Sequence, residues 1–151
     1  IALALAKETK ADITALDIRN ECVDLCRLNA ERLGLDVTIT LSDWFSSISG
    51  SFDLIVSNPP YIAANDPHLN NDGLVFEPHV ALCGGKDGLE SIRNIVKGAP
   101  LYLRPGGKLI IEHGHDQSEQ VTSLFSSTGF TEIHSTPDIA GTLRVCCGTA
   151  P

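Results

Sequence analysis

Within residues 52–61 a near-continuous apolar run is cut off by two prolines, and no other stretch restricts the fold so tightly. Leu54, Ile55 and Val56 form the apolar centre of Phe52–Ser57, the pattern expected of a strand buried on both faces. Asn58, Pro59, Pro60 and Tyr61 follow at once. Proline has no backbone N–H and a fixed φ, so two in succession cannot continue a ladder, and the chain must leave the strand tip in a rigid shape. A strand covered on both faces calls for helices above and below it.

The flanking sequence supplies them. Ile13, Ala15 and Asp17 read as a short strand, and Val23, Cys26, Ala30 and Leu33 recur at helical spacing up to a stop at Gly34. Residues 37–41 are β-branched and short, a further strand. Leu89, Ile92, Ile95 and Val96 give a second helical face ended by Gly98 and Pro100, and Pro105-Gly106-Gly107 turns the chain into a strand over 108–112. Asp116 with Glu119 resembles a capping box for a helix carrying Val121, Leu124 and Phe125 and stopped at Gly129. Residues 130–135 and 142–147 close the chain as two strands with no helix between them, which requires an antiparallel pair. The expectation is an α/β fold with a mostly parallel sheet and an antiparallel C-terminal strand. With 151 residues, 42% of them hydrophobic, it is read as one domain over 1–151.

Nineteen acidic residues against eleven Lys and Arg give a net charge of −8, which disfavours non-specific binding to nucleic-acid backbone or anionic membrane. No stretch has the length of an apolar membrane span and no secretory leader opens the chain, so the expected location is cytoplasmic. Five cysteines, at 22, 26, 83, 146 and 147, lack C-x-x-C spacing and read as reduced thiols. His113 and His115 are two apart and share one face if both lie in a strand, but neither they nor His68 and His79 have the partner spacing of a metal centre, and none is expected. The chain lacks methionine and opens on the apolar residues 1–6, which reads as the interior of a longer protein.

Residues 58–88 are rich in Asn, Asp, Pro and Gly and too long for an idle connection, so chemistry is sought there. Asn58 offers a side-chain carbonyl at the strand tip, the Pro59 carbonyl is a second acceptor, and Tyr61 adds a flat ring with a polar end. Together they suit a planar NH2-bearing group, an amide or a nucleobase amine. Open α/β sheets bind ligands beyond the carboxyl ends of their strands, where Asp17 and Asp43 fall and where an acid can accept from ribose hydroxyls. Asp43 is followed by Trp44 and Phe45, a set able to bond an exocyclic amine and cover adenine. Taken singly, either acid is as readily an N-cap or a loop acid. Glu112, at a strand end, is a further candidate acid.

Asn-Pro-Pro-Tyr after a buried strand is similar to the motif of S-adenosylmethionine-dependent methyltransferases acting on planar nitrogen. Around it stand Ser42-Asp43-Trp44-Phe45, Asp66-Pro67-His68-Leu69, Phe76-Glu77-Pro78, Gly85-Lys86-Asp87-Gly88-Leu89 and Glu112-His113-Gly114. That ensemble resembles the HemK/PrmC family of release-factor glutamine N5-methyltransferases. The resemblance implies a Rossmann-like class I methyltransferase sheet whose first strand and glycine motif lie ahead of Ile1, so that 1–151 is a catalytic domain truncated at its N-terminus. It implies S-adenosylmethionine as cofactor, held by Asp17, Asp43, Trp44 and Asn58. It implies catalysis at Asn58, Pro59 and Tyr61, with Pro60, Phe76, Glu77 and Pro78 joining them in binding substrate. The implied partner is the Gly-Gly-Gln loop of a peptide chain release factor, with no direct nucleic acid and no membrane. The alternatives are an adenine N6-type nucleic-acid amino methyltransferase, which calls for a basic groove, and a catalytically silent fragment or binding module.

Overall fold

The computed structural model describes residues 1–70 and 73–151, and divides into two compact units, Ile1–Ser49 and Gly50–Pro151. Residues 71 and 72 of the expected working loop lie outside the described residues.

The first unit runs α1 (Ala2–Glu8), β1 (Thr14–Asp17), α2 (Asn20–Leu33) and β2 (Thr38–Leu41). β1 and β2 are parallel, with Thr14 opposite Thr38 and Asp17 opposite Leu41. A parallel pair needs a crossover, and α2 supplies it, packing on both strands and burying Val23 and Ala30. The helix stops where the sequence places Gly34. That residue sits at φ +63, a left-handed cap that glycine adopts without strain.

The second unit begins with β3 (Phe52–Ser57) and continues through 3-10 turns at Pro67–Asn70 and Leu74–Phe76 and the single-turn α3 (His79–Leu82). It continues with α4 (Glu90–Gly98), a 3-10 extension Ala99–Leu101, β4 (Leu103–Glu112), α5 (Ser118–Ser127), β5 (Thr131–Pro137) and β6 (Leu143–Thr149). The strand order is β3-β4-β6-β5, with β3 and β4 parallel and β6 antiparallel to both neighbours. The core is built from alternate positions of β4 and the inward faces of α4 and α5. Leu109 and Ile111 are buried with Ile92, Ile95, Val96, Val121 and Phe125. Phe125 alone is worth roughly 1.5–3 kcal/mol of apolar burial, and its ring packs at 5.0 Å from that of Phe130.

Four expectations are corrected. β3 is not buried on both faces: Leu54 is 44% exposed, because β3 stands at the edge of its four-stranded sheet and β4, not β3, is the most covered strand. The strand over 108–112 starts earlier, at Leu103, and absorbs Pro105-Gly106-Gly107 as a register shift against β3. The capping box at Asp116 and Glu119 does not form; the N-cap of α5 is Gln117, whose side chain makes no cap bond. His113 and His115 do not share a face, since β4 ends at Glu112: His113 is fully buried and His115 is exposed.

Candidate active site

At the carboxyl end of β1 and β2 the first unit gathers two of its acids. The Ser42 N–H donates to the Asp17 carbonyl at 2.9 Å, which sets the start of the β2 turn beside the end of β1. The Asp17 Oδ1 accepts from the Arg19 N–H at 2.9 Å, an Asx turn that fixes the carboxylate. Ser42 is buried, and its hydroxyl donates to the Trp44 carbonyl at 2.7 Å while accepting from the Ser47 N–H at 3.1 Å. These bonds hold Trp44 at φ +48, a conformation that costs a bulky residue energy and is kept where the surroundings over-determine it. Asp43, beside it, is exposed.

In the second unit Asn58 emerges from the tip of β3, exposed, with no hydrogen bond to its side chain among the described residues. Pro59 behind it is buried. The next residues are tied down. Tyr61 Oη donates to Glu112 Oε1 at 3.1 Å, joining the tip of β3 to the end of β4. Burial, and then the Glu112 charge, push the Tyr61 phenol above its ordinary value, so the ring stays a neutral donor. The Ile62 N–H donates to the Leu82 carbonyl, the Gly84 N–H to the Ile62 carbonyl and the Ala64 N–H to the Gly85 carbonyl, at 3.0, 2.9 and 2.9 Å. This bridge pins the loop to the segment 82–85.

Asp87 anchors that segment in turn. Its Oδ1 accepts from Arg93 Nη1 at 2.9 Å and its Oδ2 from Arg93 Nη2 at 2.5 Å. The Arg93 guanidinium, followed by the Leu89 N–H, holds the Asp87 carboxyl down at about 2. Beside Tyr61 opens a cavity of about 940 Å³ whose walls include Asp66, Arg93, His115, Gln117 and Arg144.

The structure therefore brings Asn58, Pro59, Pro60 and Tyr61 together with Glu112, and Asp17 together with Asp43 and Trp44. Phe76, Glu77 and Pro78 are exposed and do not line the cavity beside Tyr61; Phe76 is 88% exposed at the end of a 3-10 turn. Two contacts at this tip were not foreseen from the sequence. Glu112 anchors the Tyr61 ring from 51 residues away, and Gln117 reaches the same loop from 56. Local pattern carries no signal for pairings at that range. No group of three His, Cys, Asp or Glu side chains among the described residues is placed to hold a metal, and no described helix is long and apolar enough to cross a membrane.

The parallel strands with acids and a rigid proline tip at their carboxyl ends, closed by an antiparallel final pair, are the α/β fold of class I methyltransferases. A methyltransferase from Pyrococcus furiosus shares it, with a TM-score of 0.75 and 23% identity over 98% of this chain and 67% of that one. Residues 1–133 match the methyltransferase small domain, and the chain belongs to that family. It is 44% identical over its whole length to the release factor glutamine methyltransferase of Xylella fastidiosa, of which it covers 56%. It is also 44% identical, over 98% of its length, to that of Salmonella typhimurium, of which it covers 54%. The chain thus spans about half the length of the curated relatives it matches.

Proposed function

We propose that residues 1–151 serve as the catalytic domain of a methyltransferase. Its reaction carries a methyl group from S-adenosylmethionine to the side-chain amide nitrogen of the glutamine in a Gly-Gly-Gln motif of peptide chain release factors. The observation that carries this reading is the tip of β3, where Asn58 stands exposed with no hydrogen bond to its side chain among the described residues, while Tyr61, just beyond it, is fastened at both ring and backbone. A free acceptor on a fixed support is what an incoming NH2 group needs. The names of the relatives support the same acceptor.

The residues present fit the cofactor. Asp17 stands at the end of β1 with its carboxylate oriented by the Asx turn, Asp43 is exposed for an exocyclic amine, and Trp44 lies half-buried beside it with its backbone held at φ +48. S-adenosylmethionine, when bound, supplies a methyl group activated by its sulfonium. The chain's own part is orientation. The Asn58 Oδ1 and the Pro59 carbonyl accept from the amide NH2, and the Tyr61 ring packs along the amide plane. An amide nitrogen is a weak nucleophile because its lone pair is delocalised, so positioning and fixed dipoles supply most of the acceleration. The cofactor would give up its methyl and leave as a neutral thioether, and the acceptor nitrogen would release one proton to solvent. Phe76, Glu77 and Pro78 contact the backbone of the substrate loop. A release-factor partner places the reaction in the cytoplasm and needs neither nucleic acid nor membrane.

The test is single-turnover transfer from labelled S-adenosylmethionine by the protein bearing this sequence. One acceptor is a release-factor domain with a Gly-Gly-Gln loop, the other an adenine-containing DNA duplex. Methylation of the glutamine is expected. Preferential methylation of the duplex overturns the assignment.

A further inference from the structure

Gln117 stands at the N-cap of α5, where a short polar side chain ordinarily accepts from the helix's own first N–H groups. Its carboxamide is used elsewhere. The residue is 7% exposed, its Nε2 donates to the Tyr61 carbonyl at 3.0 Å, and its Oε1 accepts from the Gly114 N–H at 2.8 Å. Both halves of one amide are spent on the backbones of two different loops. A third loop closes on the same point. A Cβ built on Gly88 meets the Tyr61 carbonyl oxygen and lies 2.7 Å from Gln117 Nε2, and one built on Gly84 lies 2.6 Å from the Pro60 carbonyl oxygen. Pro60 and Tyr61 are thus packed against bare glycine backbone, and Tyr61 is clipped by the amide as well.

We propose that Gln117 is a positioning residue for the methyl acceptor: its carboxamide fixes the Tyr61 peptide, and through it the placement of the Asn58 and Pro59 acceptors. The proposal rests on the reading of Asn58–Tyr61 as the acceptor tip. Only a group that donates and accepts at once satisfies both partners. A carboxylate has two acceptors and no donor, an ammonium has three donors and no acceptor, and Asn is one methylene too short to span the same gap. The Tyr61 carbonyl, left without its donor in a covered site, would turn toward another partner and carry the loop with it.

The chemistry yields a specific test in Gln117→Glu. The ionised Glu still accepts from the Gly114 N–H, but it sets a second oxygen against the Tyr61 carbonyl. Protonated, it is a near isostere of Gln, with an O–H to donate to that carbonyl and a C=O to accept from Gly114. Burial and the facing carbonyl both raise the pKa of such a carboxyl. The titratable groups around it are Glu112 through Tyr61, Asp87 and Arg93 on the α4 side, His115, Asp116 and Glu119 beside it on its own segment, His68 and Asp66 on the loop, and Arg144 on β6.

In single-turnover transfer to a Gly-Gly-Gln domain at saturating cofactor, Gln117→Glu is expected to lower the rate roughly tenfold or more at neutral pH. Cofactor affinity, read by calorimetry, should stay within about twofold, since no contact to the nucleoside is touched. As the pH falls toward about 5, the rate of the variant relative to the parent should recover. Gln117→Ala should lose rate without that recovery, and amide hydrogen exchange at Ile62 and Ala64 should quicken in it relative to the parent. A Gln117→Glu rate that tracks the parent at every pH, or unchanged exchange in Gln117→Ala, overturns the proposal. If the parent moves no methyl to glutamine, the functional reading falls, and the exchange measurement still decides the clip.

Discussion

Gly88→Ala is the substitution whose effect can be worked most directly from the geometry. Gly88 has φ +75, so an Ala there pays the left-handed penalty of about 1–2 kcal/mol. Its Cβ would also lie 2.7 Å from Gln117 Nε2 and 3.2 Å from the Ala63 nitrogen, and would run into the Tyr61 carbonyl, where ordinary contact begins at 3.4 Å. These neighbours are backbone and a buried amide, so relief needs a shift of about 1 Å in the Tyr61 peptide or in the Gly84–Gly88 turn, at a further cost of roughly 1–3 kcal/mol. A displacement of that size at the acceptor is worth about a hundredfold in rate. Gly106→Ala separates the two effects, because Gly106 has φ +77 and nothing within 4 Å of its would-be Cβ. Thermal unfolding should show both variants destabilised and Gly88→Ala more so. Single-turnover transfer should fall about a hundredfold in Gly88→Ala and remain near parental in Gly106→Ala. Equal transfer rates in the two would refute the claim that the glycine turn holds the acceptor tip in place.

Asn58→Ala should slow methyl transfer by about a hundredfold while leaving cofactor affinity nearly unchanged, because it removes an orienting acceptor and no structural bond; equal losses in rate and in fold stability would reduce Asn58 to a turn residue. Asp17→Asn retains an oxygen for the Arg19 N–H but loses its charge, and calorimetry should find S-adenosylmethionine weakened by roughly 1.5–3 kcal/mol, whereas an unchanged dissociation constant removes Asp17 from the ribose site. Asp87 is held at about 2 in the fold, below its unfolded value of about 3.9, so its contribution is complete above pH ~4 and is lost as pH falls toward 2. With Asp87 and Arg93 side chains 49% and 37% exposed, solvent screening limits that contribution to below about 1 kcal/mol; acid unfolding of Asp87→Asn should lack this component, and curves superimposable on the parent's would show the pair to be idle.

What could be read ahead of the structure was whatever a window of a dozen residues determines. α2 stops at Gly34 because the helical period ends there and the left-handed cap is written into the next residue. Asn58-Pro59-Pro60-Tyr61 leaves the strand tip where proline chemistry forbids a ladder. Leu54 misled, since three consecutive apolar residues look alike in a central strand and in an edge strand whose partners lie elsewhere in the chain. Asp116 and Glu119 misled for a related reason. The capping pattern was local, but Gln117 was claimed by the Tyr61 carbonyl, 56 residues away. The scaffold of the site was therefore legible and its fastenings were not, because Glu112, Gln117, Gly84 and Gly88 acquire their roles only when distant loops meet.

Trp44 is the only tryptophan in the chain. It lies in the turn after β2, half-buried, with its backbone fixed through the Ser42 hydroxyl. Excited at the red edge of its absorption, the protein emits light from that one corner, undiluted by its two tyrosines and five phenylalanines. On the proposed placement of the nucleoside over Trp44, a stacked purine would quench the indole, so this native fluorophore would report nucleoside occupancy optically and in real time. Binding could thus be timed in unlabelled protein, apart from the assay of transfer.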